Sequence, residues 1–282
     1  MRMLNRLGWA EGVSFEAFGL RLGVRLSEPG FVDRVHQALP YGAGVTENCE
    51  VDHLFSVLVG AERRASQADG RICVVYSDAT PVARVAGIDT AMDSLRSSLQ
   101  MLVGEFARDR VFVHAGVVGW EGHAILVPGK SFVGKSRMVA ALARAGAQLY
   151  SDEFAVLSSD GLVHPYARPI SIRDEDTHCG HPVTAEELGA AGVGEEAIAP
   201  GLVLFARYRD GASWRARRLT LGATVLELLS NTLPARRKPE AALDALEKVA
   251  RAAPAYRVTR GEADDAVPRA IRLLERALAA DM

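Results

Sequence analysis

Over the first hundred residues, apolar side chains recur mostly at every second position. From Phe15 to Leu26 the series Phe18, Leu20, Leu22, Val24 and Leu26 alternates with other residues, which predicts a strand with one buried face. His53 to Val59, Ile72 to Tyr76 and Val82 to Ala86 predict three more strands, with the polar stretch Glu62 to Gly70 as a hairpin loop between them. A short helix-like run with Val32, Val35 and Leu39 follows Pro29 and closes at Pro40-Tyr41-Gly42-Ala43-Gly44. The period then changes. Met92, Leu95, Leu99, Leu102 and Val103 share one face of a helix that runs to about Phe106, with Asp89 as its N-cap. The pattern predicts an α/β protein with a small N-terminal α/β domain over 1–104 and a second domain over 105–282.

The second domain opens with Val111 to Val118, a strand broken by small residues, and a turn at Gly119 to Gly122. Ala124-Ile125-Leu126-Val127 reads as a short buried strand, and Met138, Val139 and Leu142 as a helix that stops at Gly146. Gln148-Leu149-Tyr150 resumes strand character. Ala155-Val156-Leu157 and Leu162-Val163 flank the turn Ser158 to Gly161. Arg173 to Pro200 is polar, acidic and rich in glycine, which predicts a mobile loop with at most one short helix near Ala185–Leu188. Leu202 to Tyr208 and Trp214 to Leu219 read as a hairpin around Asp210-Gly211. Helices follow at about Gly222–Asn231, Glu240–Ala252 and Ala263–Ala280, with a strand at Ala255–Val258.

Composition narrows the class. Of 282 residues, 49% are apolar and 24% charged, as in ordinary globular domains, and the formal charge of −2 gives no general attraction to nucleic acid or anionic membrane. No apolar run approaches the length of a membrane span, and Met1 to Val13 lacks a signal-peptide core. Cys49, Cys73 and Cys179 are too few and too odd a set for a disulfide framework. The expected compartment is the cytoplasm.

One stretch carries specific chemistry. Gly129-Lys130-Ser131-Phe132-Val133-Gly134-Lys135-Ser136 fits the phosphate-loop (Walker A) pattern G-x-x-x-x-G-K-[ST] at every fixed position, between a predicted strand and a predicted helix. Glycines let successive backbone N–H groups close on an anion at a helix N-terminus. Lys135 is expected to reach the β- and γ-phosphates of ATP, and Ser136 to be a Mg²⁺ ligand, with Arg137 counted among the nucleotide contacts. The chain has only four lysines, Lys130, Lys135, Lys238 and Lys248, and two of them fall in this loop. A compact ammonium on a flexible stem suits the task better than a planar arginine fork.

Asp152 and Glu153 end the next predicted strand, a position that returns two carboxylates to the phosphates. One could hold Mg²⁺ while the other accepts the acceptor's proton. A solvated acidic turn is the plain alternative, against which stand the apolar flanks Leu149, Phe154 and Val156. His114 lies on the strand before the loop strand; a lone histidine in an apolar run is more often a satisfied core residue, and acidic neighbours would favour a role in catalysis.

Val113-His114-Ala115-Gly116, the loop Gly129 to Ser136, Arg144-Ala145-Gly146-Ala147 and Ser151-Asp152-Glu153 resemble the catalytic domain of the HPr kinase/phosphorylase family. The resemblance covers roughly residues 105 to 175 and, weakly, the C-terminal helices. It implies a P-loop HPr-kinase-like catalytic domain in which Asp152 is the base toward the acceptor hydroxyl, Glu153 helps to hold the metal, and His114 hydrogen-bonds the catalytic acid. Glu153 stands where the family has Asp. His164 to Arg173 stands in place of the family's glycine-rich acidic segment, and the N-terminal domain does not read like the classical regulatory one. The chain is more similar to the diverse HPr-kinase-like proteins of bacterial gene clusters.

The expected activity is an ATP- and Mg²⁺-dependent serine-kinase-like phosphotransferase. Its acceptor is a hydroxyl on a protein, a peptide or a small-molecule alcohol. The rival is a nucleotide-binding regulatory or assembly module with little or no kinase activity. Neither nucleic acid nor membrane is an expected partner, and a homo-oligomer is compatible with either reading. His178, Cys179 and His181 lie close together without a second Cys/His pair at metal-site spacing. The basic residues Arg215, Arg217, Arg218, Arg236, Arg237 and Lys238 read as solvated faces. One or two of those arginines, or Arg168 and Arg173, are candidates to contact the transferred phosphate.

Overall fold

The structure, a computed structural model, describes residues 4–60, 71–130, 133–168, 170–173 and 180–281. The chain divides into two compact units, Met1–Asp109 and Arg110–Met282. Both are mixed α/β, and six α-helices occur among the described residues.

In the first unit, β1 (Glu11–Ala17), β2 (Leu20–Leu26), β3 (Gly44–Thr46), β4 (His53–Val59), β5 (Ile72–Ser77) and β6 (Thr80–Ala86) form one sheet in the order β3-β1-β2-β4-β5-β6. Among the described residues of this sheet only the β2–β4 pair is parallel. Alternate residues Phe15, Leu22, Val24, Phe55, Val57, Cys73 and Val75 are buried, and helix α2 (Ile88–Phe106) buries Met92, Leu95, Leu99 and Val103 and packs on β4, β5 and β6. Helix α1 (Val32–Ala38) packs against α2.

Two local expectations fail here. The alternating run from Phe15 to Leu26 is a tight hairpin of β1 and β2. Phe18 (φ +49°) and Gly19 (φ +76°) form its turn, and two positive φ values suit the right-handed twist of the flanking strands. Alternation continues through a two-residue turn, so the pattern hid the reversal. Asp89 is not the cap of α2; Gly87 is, and Asp89 sits in the first turn, paired with Arg34. The stretch Glu62 to Gly70 lies outside the described residues.

The second unit is built on eight strands, β7 (Val111–Trp120), β8 (His123–Pro128), β9 (Gln148–Ser151), β10 (Phe154–Leu157), β11 (Val163–His164), β14 (Ala199–Tyr208), β15 (Arg215–Arg218) and β16 (Ala255–Arg260). Their order is β11-β10-β7-β8-β14-β16-β15, with β9 beside the far half of β7. β8, β14 and β16 run parallel. Helices α3 (Lys135–Arg144) and α6 (Ala263–Asp281) cover one face of the sheet, and α4 (Leu221–Leu229) and α5 (Pro239–Ala252) the other. Ile125 and Val127 of β8 pack into the first layer, Ala124 and Leu126 into the second. That double burial is why β8 reads as an unbroken apolar run instead of an alternating one.

Two further expectations are corrected. β14 and β15 are not a hairpin, because β16 lies between them, parallel to β14 and antiparallel to β15. The turn at Asp210-Gly211 is real, but the next partner in the sheet comes from forty residues on in the chain, roughly, and no local signal carries that. The segment from Arg173 to Pro200 is also more structured than its composition suggests. β13 (Gly180–Val183) pairs with β12 (Ile170–Arg173), Leu149 exchanges backbone hydrogen bonds with Gly192 and Gly194, and Leu188 is buried. A Cβ on Gly194 would fall 2.0 Å from the Tyr150 ring, so this glycine serves close packing. Residues 174–179 lie outside the described set. Among the described residues, no helix is long and apolar enough to cross a membrane.

Candidate functional site

The carboxyl ends of β8, β14 and β16 gather at one edge of the second unit, the place where open α/β sheets commonly bind ligands. β8 ends at Pro128 and α3 begins at Lys135, so the glycine segment of the sequence pattern occupies the turn between them. Gly134 caps α3 in the left-handed region, φ +90° and ψ +21°. Gly129 is equally constrained, since a Cβ there would lie 2.6 Å from Val133 Cγ2. Ser136 and Arg137 lie half-buried in the first turn of α3, and Lys130 is exposed. Ser131 and Phe132 lie outside the described residues.

β7 organises the acidic side. Its first half pairs with β10, placing His114 opposite Phe154, and its second half pairs with β9. The short connection between β9 and β10 is Asp152-Glu153. Ser151 Oγ shapes it by accepting hydrogen bonds from Glu153 N (3.2 Å) and Phe154 N (3.0 Å). The backbone closes the arrangement: Gly129 N donates to His114 O at 3.1 Å, and Ala115 N donates to Glu153 O at 3.1 Å. A Cβ on Gly116 would lie 2.3 Å from Val139 Cγ2, so β7 and α3 meet without a side chain between them. Beneath His114, Phe112, Phe154 and Tyr166 form a triangle of edge-on rings with centroids 5.7 to 5.8 Å apart. Tyr166 comes from the segment between β11 and β12.

Three of the expected site residues converge on one atom. His114 Nε2 lies 3.1 Å from Glu153 Oε1 and 3.2 Å from Lys135 Nζ. A ring nitrogen can accept from the ammonium or donate to the carboxylate, but it cannot do both at once. Lys135 is only 7% exposed. Burial pushes its ammonium below the ordinary lysine value, against the opposing pull of the Glu153 and Asp152 carboxylates. Burial would raise the Glu153 carboxyl, but the hydrogen bond from His114, with the charges of His114 and Lys135, outweighs it and holds Glu153 below its ordinary value.

The histidine's partner is a correction. The family resemblance implies a bond to the catalytic acid, assigned to Asp152, whereas His114 is bonded to Glu153. In a two-residue turn adjacent side chains diverge, and a one-residue difference decides which carboxylate faces β7. Asp152 is 9% exposed and close enough to Lys135 to act on its charge.

A residue that was not singled out completes the site. Arg260, the last residue of β16, is 1% exposed. Its Nη2 donates to Gly134 O at 2.8 Å and its Nη1 to Gly261 O at 2.8 Å, while its guanidinium lies 5.7 Å from the Tyr208 ring centroid. Tyr208 in turn donates to Glu262 Oε1 at 3.0 Å. Burial lowers the Arg260 pKa, opposed by Glu262 and Tyr208. Among the described residues, its buried Nε has no hydrogen-bond partner. A signal was present: Tyr256, Val258 and Arg260 share one strand face, so the arginine continues an apolar row.

Other candidates are placed elsewhere. Arg215, Arg217 and Arg218 lie exposed on β15 at the sheet edge, and Arg236 and Arg237 are exposed beside Lys238. Arg168 is half-buried. The side chains of Arg173 and His181, and residues His178 and Cys179, lie outside what is described. Among the described residues, no group of three or more His, Cys, Asp or Glu forms a ready metal cage. Comparison with known proteins finds no matching family model and no matching curated sequence.

Proposed function

We propose that the second unit is a P-loop, HPr-kinase-like catalytic domain, and that the protein is an ATP- and Mg²⁺-dependent kinase acting on a hydroxyl. The observation that carries this reading is the meeting of Lys135 and Glu153 at His114 Nε2, with Asp152 alongside. A glycine turn before an ordinary helix has no need of a buried lysine or of two carboxylates delivered by another strand pair.

The donor set fits the cation. Ser136 and Glu153 offer hard oxygens, and Mg²⁺ is commonly held by one or two carboxylates together with phosphate oxygens. When bound, the cation would neutralise charge on the β- and γ-phosphates. Lys135 binds the same phosphates, which compete with His114 for its ammonium. Glu153, held ionised, would help to hold the cation, and Asp152 is the base. The acceptor hydroxyl passes its proton to the Asp152 carboxylate as its oxygen attacks the γ-phosphorus. The bond to the β–γ bridging oxygen breaks, and ADP departs. Arg260 fixes the Gly134 peptide and adds positive charge behind the phosphates.

The direct test is to incubate the purified protein with γ-labelled ATP and candidate serine peptides and alcohols, then to locate the phosphate by mass spectrometry. Transfer that requires Mg²⁺ and Lys135 supports the kinase. Tight ATP binding with no transfer to any acceptor, and no turnover beyond that of Asp152→Asn, would favour a nucleotide-binding module.

A further inference from the structure

At the opposite end of the same sheet a cavity of about 400 Å³ opens between the amino end of β16, the loop before α4, and the last turns of α5 and α6. It lies apart from the nucleotide site: Ala255 and Tyr256 line it, while Arg260, at the other end of β16, holds Gly134. Along a strand those ends are separated by roughly 13–16 Å.

The lining is one-sided in charge. Arg218 of β15, Arg251 of α5 and Arg276 of α6 reach it from three elements, and none of its lining residues is acidic. Arg251 has a local reason to be there, since it sits in the last turn of α5, where a cation is favoured, and Glu247 accepts from its Nε at 3.0 Å. No such reason covers Arg218 or Arg276. The side chain of neither has a hydrogen-bond or ion-pair partner among the described residues, and Arg276 lies before the last turn of α6. Arg218 and Arg276, with no carboxylate beside them, leave the site positive, and the planar forks of guanidinium groups match phosphate or carboxylate oxygens in pairs. The volume falls at the small end of the range for ligand sites.

We infer that this cavity is a binding site for a small polyanion carrying two or more phosphate or carboxylate groups, held by Arg218 and Arg276 with Arg251 at the rim. The site does not depend on the kinase reading, because none of its residues belongs to the glycine loop or the acidic turn.

Calorimetric titration of the full chain tests it. The chain carries Lys135→Ala so that the loop contributes little, and the probes are inorganic pyrophosphate and, separately, citrate. Saturable binding of at least one probe is expected, weakened about tenfold or more by Arg218→Gln or Arg276→Gln. Binding of pyrophosphate alone identifies a phosphorylated ligand, and binding of citrate alone a polycarboxylate. Both arginines are exposed, so the variants should melt like the parent, and Arg276→Lys should retain part of the affinity. No saturable binding of either probe, or equal binding by the parent and both glutamine variants, overturns the proposal.

Discussion

Arg260 Nη2 donates to the backbone oxygen of Gly134 at 2.8 Å, joining the end of the last strand to the glycine turn 126 residues earlier in the chain. The bond fixes the orientation of the peptide just before Lys135, and hence of the N–H groups at the start of α3. Arg260→Gln should remove the side-chain donor from the Gly261 carbonyl and from that of Gly134, which keeps only the bond from Met138 N, at a cost of about 1–3 kcal/mol in stability. ATP affinity should fall about tenfold, and Arg260→Lys should recover little, because one ammonium cannot span both carbonyls. Thermal melting and nucleotide titration would show this. Unchanged ATP affinity in the glutamine variant would remove Arg260 from the site.

The two acids should separate. Asp152→Asn should lower phosphoryl transfer by roughly 10²–10⁴-fold with ATP binding nearly intact, the usual contribution of a positioned base. Glu153→Gln should weaken nucleotide binding and blunt its Mg²⁺ dependence. His114→Ala, which loses contacts to both Glu153 and Lys135, should be milder than Asp152→Asn in transfer. Single-turnover rates beside equilibrium titration distinguish these patterns, and small equal effects from all three variants would make the acids structural.

The burial of Lys135 costs stability. Its folded pKa is lowered by burial, so the folded state binds its proton less readily than the unfolded chain does. The burial penalty is present at neutral pH and fades as pH rises through the lowered value toward the ordinary one. Lys135→Met should therefore stabilise the nucleotide-free protein by about 1 kcal/mol near neutrality, with a smaller gain in alkali, while abolishing ATP binding. A lower melting temperature for the variant at neutral pH would contradict this.

Glu153 works in the opposite direction. Its folded pKa lies below the ordinary 4.5, so its stabilising contribution is present above that value and is lost as pH falls through the depressed one. Glu153→Gln should flatten the acid limb of the stability curve, measured by denaturant unfolding from neutrality downward. An acid limb identical to the parent's would mean that the His114 contact carries no net charge energy.

Gly116 tests how closely β7 must approach α3. The Cβ of Gly116→Ala would meet Val139 Cγ2 at 2.3 Å, inside a core with no spare room. A loss of about 1–3 kcal/mol is expected, the usual range for overpacking. It should be accompanied by reduced ATP affinity, since α3 carries Lys135. Gly44→Ala, in strand β3 with open space around it and no positive φ, controls for the general effect of replacing a strand glycine. Equal stability of Gly116→Ala and the parent would show that Val139 can move aside.

Sequence alone determined the parts whose causes are local. Period-two alternation placed β4 and β5, the 3.6-residue period placed α2, and the doubly buried run placed β8, because each pattern reflects which side of one element faces the core. The glycine motif and the acids Asp152 and Glu153 were equally legible, since spacing and residue type declare them. What only the tertiary structure decided depends on pairing between distant segments. β16 enters between β14 and β15, and that insertion carries a buried Arg260 to Gly134. The choice of Glu153 over Asp152 as the partner of His114 follows from the β7–β10 register, in which a shift of one residue turns a side chain to the other face. Composition marked 173–200 as loose, yet Gly194 packs on Tyr150 because a residue without Cβ can approach an aromatic ring, and a linear chain does not show what it will approach.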